Sequence, residues 1–215
     1  MDAVEICGFT KILKGREVLK DINLTLKQGT VNGLFGHNGS GKSMLMRAIS
    51  GLIYPTKGSV TVFGKELGKD ISFPSSMGIV IENVGFWPYY TGFENLKTLA
   101  AIKNKITDEQ IKHSIQRVGL DPEDKRTYRK YSLGMKQRLG IAQAIMEEPE
   151  LLMLDEPTNA LDDDGIEKIR QIIHEENERG ATIVLASHNK EDLRLLCDHF
   201  YKMNDGCLAE GEIEK

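Results

Sequence analysis

The chain has 215 residues, 40% of them hydrophobic and 28% charged, which is ordinary for a water-soluble globular protein and enough for one core plus a small subdomain. Its formal net charge of -4 argues against nucleic acid as a partner, since such domains carry a basic excess. No apolar run reaches the length of a bilayer span, and the start MDAVEICGF lacks the basic region and apolar stretch of a signal peptide. From the N-terminus, VEICGF and EVLKDINLTLKQG read as strands, the second alternating at Ile22, Leu24 and Leu26 before a Gln-Gly turn. VNGLF (31–35) is a strand entering a Gly-rich loop, SMLMRAISGL a helix closed by Gly51 and Pro55, and GSVTVFG and GIVIE (78–82) are further strands. From about 88 to 148 the pattern turns helical, with Thr107 and Gln110 forming a capping box before IKHSIQRVGL. LLMLDE (151–156) is a continuous apolar strand suited to the middle of a parallel sheet. A helix over roughly 162–178, the strand TIVLAS (182–187), a short helix after Asn189 and a hairpin around Asn204-Asp205-Gly206 complete an α/β pattern.

The loop GHNGSGKS (36–43) matches G-x-x-x-x-G-K-[ST] between a strand and a helix. Gly36, Gly39 and Gly41 let the backbone wrap a phosphate, with His37, Asn38, Ser40 and Met44 completing the cradle and its first helical turn. Lys42 is placed to reach the β/γ oxygens and the Ser43 hydroxyl to ligate Mg²⁺. At the end of the strand LLMLDE stand Asp155 and Glu156, which period-2 alternation would point in opposite directions. Asp155 is therefore the expected Mg²⁺ residue and Glu156 the expected general base. In YSLGMKQRLG (131–140) a second anion site is expected at a helix start, with Ser132, Gly134 and free backbone N–H groups. Cys7, Cys197 and Cys207 are odd in number and widely spaced, fitting small buried side chains in a reducing compartment and no metal motif. The acidic run HEENE (174–178) reads as a solvated helix face, and Asp163 and Asp164 as helix N-terminal charge.

In their order and spacing these motifs resemble the nucleotide-binding subunit of ABC transporters along essentially the whole chain. GHNGSGKS resembles Walker A, LLMLDE Walker B, YSLGM the LSGGQ signature, NALD (159–162) the D-loop, and His188 the switch histidine. The resemblance implies an ABC-type P-loop ATPase of one domain, 1–215. An N-terminal antiparallel β subdomain and a RecA-like parallel-sheet core would occupy about 1–87 and 149–215, and an inserted helical subdomain about 88–148. It implies ATP and Mg²⁺ as cofactors, and a second ABC ATPase subunit, identical or closely related, docked head to tail. In that scheme the two anion sites of one chain lie far apart and serve different nucleotides. His188 would bond the γ-phosphate, and Asp162 would contact the opposite subunit. Transmembrane permease subunits on separate chains would place the protein in the cytoplasm, peripheral on the inner face of the plasma membrane.

Departures from the family pattern are informative. Glu82 stands where the Q-loop glutamine is usual, with expected catalytic and Mg²⁺-ligating roles. Leu133 and Met135 replace signature Gly and Gln, and the adenine-stacking aromatic aligns with Leu13, Phe9 being out of register. Glu82 combined with YSLGMKQRLGIAQAI and with GFWPYYTGFENL, whose rings would pack under a loop or line a groove for a membrane partner, resembles the bacitracin and lantibiotic self-protection branch, which removes antimicrobial peptides. A ribosome- or DNA-associated ABC ATPase is the alternative, and a degenerate regulatory subunit is opposed by intact Lys42, Asp155, Glu156 and His188.

Overall fold

The computed structural model describes residues 1–82 and 85–212. Two long antiparallel strands, β1 (Asp2–Leu13) and β2 (Arg16–Lys27), open the chain. Val4, Ile6 and Phe9 of β1 face Leu26, Leu24 and Ile22 of β2, so the alternation read from the sequence becomes one buried face. β3 (Val31–Phe35) leaves this ribbon for a second sheet, and α1 (Lys42–Ile49) follows it. β4 (Lys57–Val62) returns to pair with β1, and the two-residue β5 (Lys65–Glu66), too short to show any periodicity, completes a four-stranded sheet in the order β2-β1-β4-β5.

The second sheet adds β6 (Met77–Val80), β7 (Leu151–Asp155), β8 (Thr182–Ala186), β9 (His199–Asn204) and β10 (Cys207–Glu210) to β3. Its order is β10-β9-β3-β8-β7-β6, parallel throughout except for the β9–β10 hairpin. Every residue of β7 and β8 is buried, as a strand covered on both faces requires. Leu152 and Leu154 join one core with the helical segment, while Leu151 and Met153 join another with α1 and the antiparallel sheet. Between β6 and β7 lie α2 (Gly92–Lys103), α3 (Asp108–Arg117), a short 3₁₀ turn at 128–130 and α4 (Leu133–Ile145). Both α2 and α3 begin with a capping box, Thr91 with Glu94 and Thr107 with Gln110. The α4 backbone lies directly on β6: a Cβ on Gly78 would fall 1.9 Å from the Ala144 carbonyl oxygen.

After β7, α5 (Asp163–Glu178) and α6 (Lys190–Leu196) pack beside the parallel sheet. Asp162 caps α5 by accepting from Gly165 N at 3.1 Å, so its carboxylate has a partner within its own chain. The solvated-face reading of HEENE fails at Glu176, which is 2% exposed. Its carboxylate accepts from Arg117 Nη1 on α3 and from Arg179 Nη2, both at 2.7 Å. The cysteine reading needs correction too. Cys7 and Cys207 are exposed, and Cys197 alone is largely buried, its thiol pushed up to about 12 mainly by burial. Of the aromatic run, Phe86 packs edge-on against Tyr128 in the core, while Trp87, Tyr89 and Tyr90 are exposed; Asn83 and Val84 lie outside the described residues.

Candidate functional site

In the parallel sheet β3, β8, β7 and β6 are consecutive neighbours, so the loops leaving their C-terminal ends share one edge. At those ends stand the phosphate loop, His188, the Asp155–Glu156 pair and Glu82 respectively. Ligands of open α/β sheets bind at that edge. Topology therefore assembles motifs that are far apart in the chain.

The phosphate loop is shaped by glycines. Gly41 holds φ at 113° ahead of α1, where no side chain caps the helix, which leaves first-turn N–H groups available. A Cβ on Gly36 would lie 2.2 Å from the Met203 carbonyl oxygen, so only glycine fits. From the same hairpin Gly206 N donates to the Ser40 carbonyl at 2.9 Å. Lys42 folds over the loop and donates to the Gly36 carbonyl at 2.8 Å. Ser40 is fully buried, and its hydroxyl has no hydrogen-bond partner among the described residues. His37 turns to solvent, its Nδ1 2.9 Å from the Asn38 carbonyl and its Nε2 3.6 Å from the Asp205 carboxylate.

Asp155 ends β7 at 8% exposure and accepts from Ser43 Oγ at 2.6 Å. Burial holds its carboxyl above the usual range. The Ser43 hydrogen bond and Lys42 oppose that rise, whereas the nearby Glu156 and Glu82 charges add to it. Glu156 is not aimed by strand alternation as the sequence suggested. It lies one residue past β7 with φ at +50°, and this left-handed kink turns its side chain toward the β8 loop. There Oε2 lies 2.7 Å from His188 Nδ1 and Oε1 accepts from His188 N at 3.0 Å. Glu82 likewise lies beyond β6, not within it, with φ at +57° and an ion pair to Arg47 at 3.0 Å.

Asn38, Gly39, Gly41, Lys42, Ser43, Met44, Glu82, Asp155 and Glu156 line one open cavity of about 590 Å³, whereas Gly36, His37, Ser40 and His188 are not among its lining residues. The expected wide separation of the two anion sites is only partial. Leu133 and Gln137 of α4 also line this cavity, although Ser132 and Gly134 do not, and Gln137 Nε2 donates to the Glu156 carbonyl at 3.1 Å. Ser132 caps α4 by accepting from Met135 N at 3.2 Å, and Gly134 packs so tightly that a Cβ would lie 2.8 Å from the Ala160 carbonyl. Phe9 is fully buried and Leu13 is 41% exposed, so neither supplies a free aromatic face for a base.

The donor set fits a polyphosphate and a hard cation. Backbone N–H groups and one lysine face the loop, and a hydroxyl and a carboxylate oxygen stand together at its end. Among the described residues no cluster of three or more His, Cys, Asp or Glu could hold a metal, so a cation here would need phosphate oxygens to complete its shell.

A phosphate loop after the third strand, a buried Asp155 ending a strand two places away in the same sheet with Glu156 just beyond it, and a helical insert that opens α4 on a capped turn define a P-loop NTPase of the ATP-binding cassette class. The chain belongs to the ABC transporter family, whose model matches residues 19–159, as an ATP-binding ATPase subunit. It is 52% identical over 209 residues to the ABC transporter ATP-binding protein YybJ of Bacillus subtilis, covering 97% of this chain and 96% of that one. Identity to the bacitracin transport ATP-binding protein BcrA of Enterococcus faecalis is 40%, over 96% of this chain and 68% of BcrA. The fold is that of the ATP-binding cassette MJ0796, solved as a dimer bound to ADP and Pi, with a TM-score of 0.88 and 24% identity over 99% of both chains.

Proposed function

We propose that this subunit binds and hydrolyses ATP at the sheet edge, pairs with a second ABC ATPase subunit, and drives transmembrane permease chains that remove antimicrobial peptides or related compounds. The observation that carries the reading is the convergence, on one cavity, of the phosphate loop, the Ser43–Asp155 contact and Glu156, which His188 holds from outside the cavity. The bacitracin relative supports the substrate class. Among the described residues no helix is long and apolar enough to cross a membrane, which fits permease segments on other chains and a cytoplasmic, peripheral placement on the inner face of the plasma membrane.

In this mechanism the N–H groups of residues 38–43 and Lys42 hold the phosphates. Mg²⁺, held by Ser43 and Asp155 with Glu82 nearby, supplies charge neutralisation and orientation when bound. Glu156 orients the attacking water and accepts its proton, and His188 fixes the Glu156 carboxylate through Nδ1 and N. Ser132 and Gly134, outside the cavity of their own chain, serve the nucleotide of the opposite subunit, and segment 88–148 moves with them as a subdomain.

The test uses Glu156→Gln protein. Hydrolysis is expected to fall by about 10²–10⁴-fold, and ATP, but not ADP, should then drive dimerisation in sedimentation experiments. Hydrolysis at the parental rate would remove Glu156 as the base. Co-purification with ribosomes instead of membranes would favour a non-transport ATPase.

A further inference from the structure

Among the described residues that line the cavity, three carboxylates, Glu82, Asp155 and Glu156, face one cation, Lys42. A triphosphate entering that space meets a wall that is already negative. At close range in a partly desolvated site, each uncompensated charge weakens its binding. Asp155 has the Ser43 hydroxyl and Glu156 has the His188 loop. Glu82 is the most exposed of the three, its side chain 61% accessible, and its partner is Arg47.

Arg47 lies in the last turn of α1, the helix that starts at the phosphate loop. Its backbone is fixed from three sides: the carbonyl accepts from Leu52 N at 3.0 Å, Ile53 N at 3.2 Å and Ser50 Oγ at 3.0 Å. A cation there also suits the negative end of the helix dipole. From this anchor Nη2 reaches Glu82 Oε1 at 3.0 Å, meeting a carboxylate that a left-handed turn (φ +57°) sets at the cavity wall. A half-exposed pair of this kind contributes little to folding. Its effect falls on whatever occupies the cavity.

The geometry points to Arg47 as a positioning residue that holds Glu82 on the α1 flank and offsets its charge, so that the site accepts a triphosphate despite a third carboxylate in its wall. The proposal rests on the nucleotide-site reading above. It makes the two positions interdependent: an arginine is needed at 47 because a glutamate stands at 82.

The experiment measures equilibrium ATP binding, with and without Mg²⁺ and at several salt concentrations, for the parent, Arg47→Met, Arg47→Lys, Glu82→Gln and the Arg47→Met/Glu82→Gln double variant. Arg47→Met should weaken binding about tenfold at low salt, less at high salt. Arg47→Lys should recover most of the loss. In the Glu82→Gln background Arg47→Met should have little effect on affinity, and thermal midpoints should stay close together throughout. Equal weakening by Arg47→Met in both backgrounds, or no weakening in either, would overturn the role of Arg47 while leaving the nucleotide site intact. A parent that binds no ATP would overturn the site itself and this inference with it.

Discussion

Asp155 keeps a carboxylate where little water reaches, and its proton affinity is raised mainly by that burial. Because the folded state favours the protonated form, this contribution to stability is complete below the ordinary carboxylate pKa and is lost as pH rises through the raised value. At neutral pH the ionised group therefore opposes folding of the ligand-free protein. Asp155→Asn, in metal-free and nucleotide-free buffer, should raise the urea midpoint at pH 7, and the gain should disappear at low pH; hydrolysis should nevertheless fall about a hundredfold or more. An unchanged midpoint at pH 7 would show that Ser43 already offsets the burial. The sequence singled out Asp155 and Glu156 as the carboxylates at the end of a buried strand. It did not show how Glu156 is aimed, because a positive φ at a glutamate leaves no mark on residue spacing.

Helices α3 and α5 meet through ions as well as apolar side chains. Arg117 reaches Glu175 and Glu176 together, while Arg179 holds Glu176 and donates to the Pro149 carbonyl at 2.6 Å. Removing the Glu176 charge weakens charge-assisted bonds to both arginines, worth about 1.5–3 kcal/mol, while Arg117 keeps Glu175 and Arg179 keeps the Pro149 carbonyl. Glu176→Gln should therefore lower unfolding free energy by about that amount in denaturant titrations, whereas Glu178→Gln, on the exposed side of the same helix, should change it by less than about 0.5 kcal/mol. Local signals at this scale were legible: the Thr107–Gln110 box and the helix start at Ser132 are patterns within four residues that need no tertiary knowledge. The Arg117–Glu176 pair was not, since its partners are 59 residues apart and a run of acids on a helix ordinarily means solvent. The same holds for Arg47 and Glu82, brought together only when β6 takes its place in the sheet.

Across the whole molecule, the motifs occupy chain up to His188, and the family model ends sooner, at residue 159. The sheet does not respect that limit. β9 lies beside β3, and the hairpin it forms with β10 presses the Met203 carbonyl against Gly36 while Gly206 N grips Ser40. A chain stopped after residue 198 would keep every recognisable motif and yet lose one wall of its phosphate cradle. ATP binding should be lost or severely weakened in such a truncation even if most helical circular dichroism survives; full-affinity binding would show that the loop sets its own shape. Fusions or insertions at the 204–206 turn are accordingly expected to be felt in the 36–43 loop, although the turn looks like an ordinary surface corner.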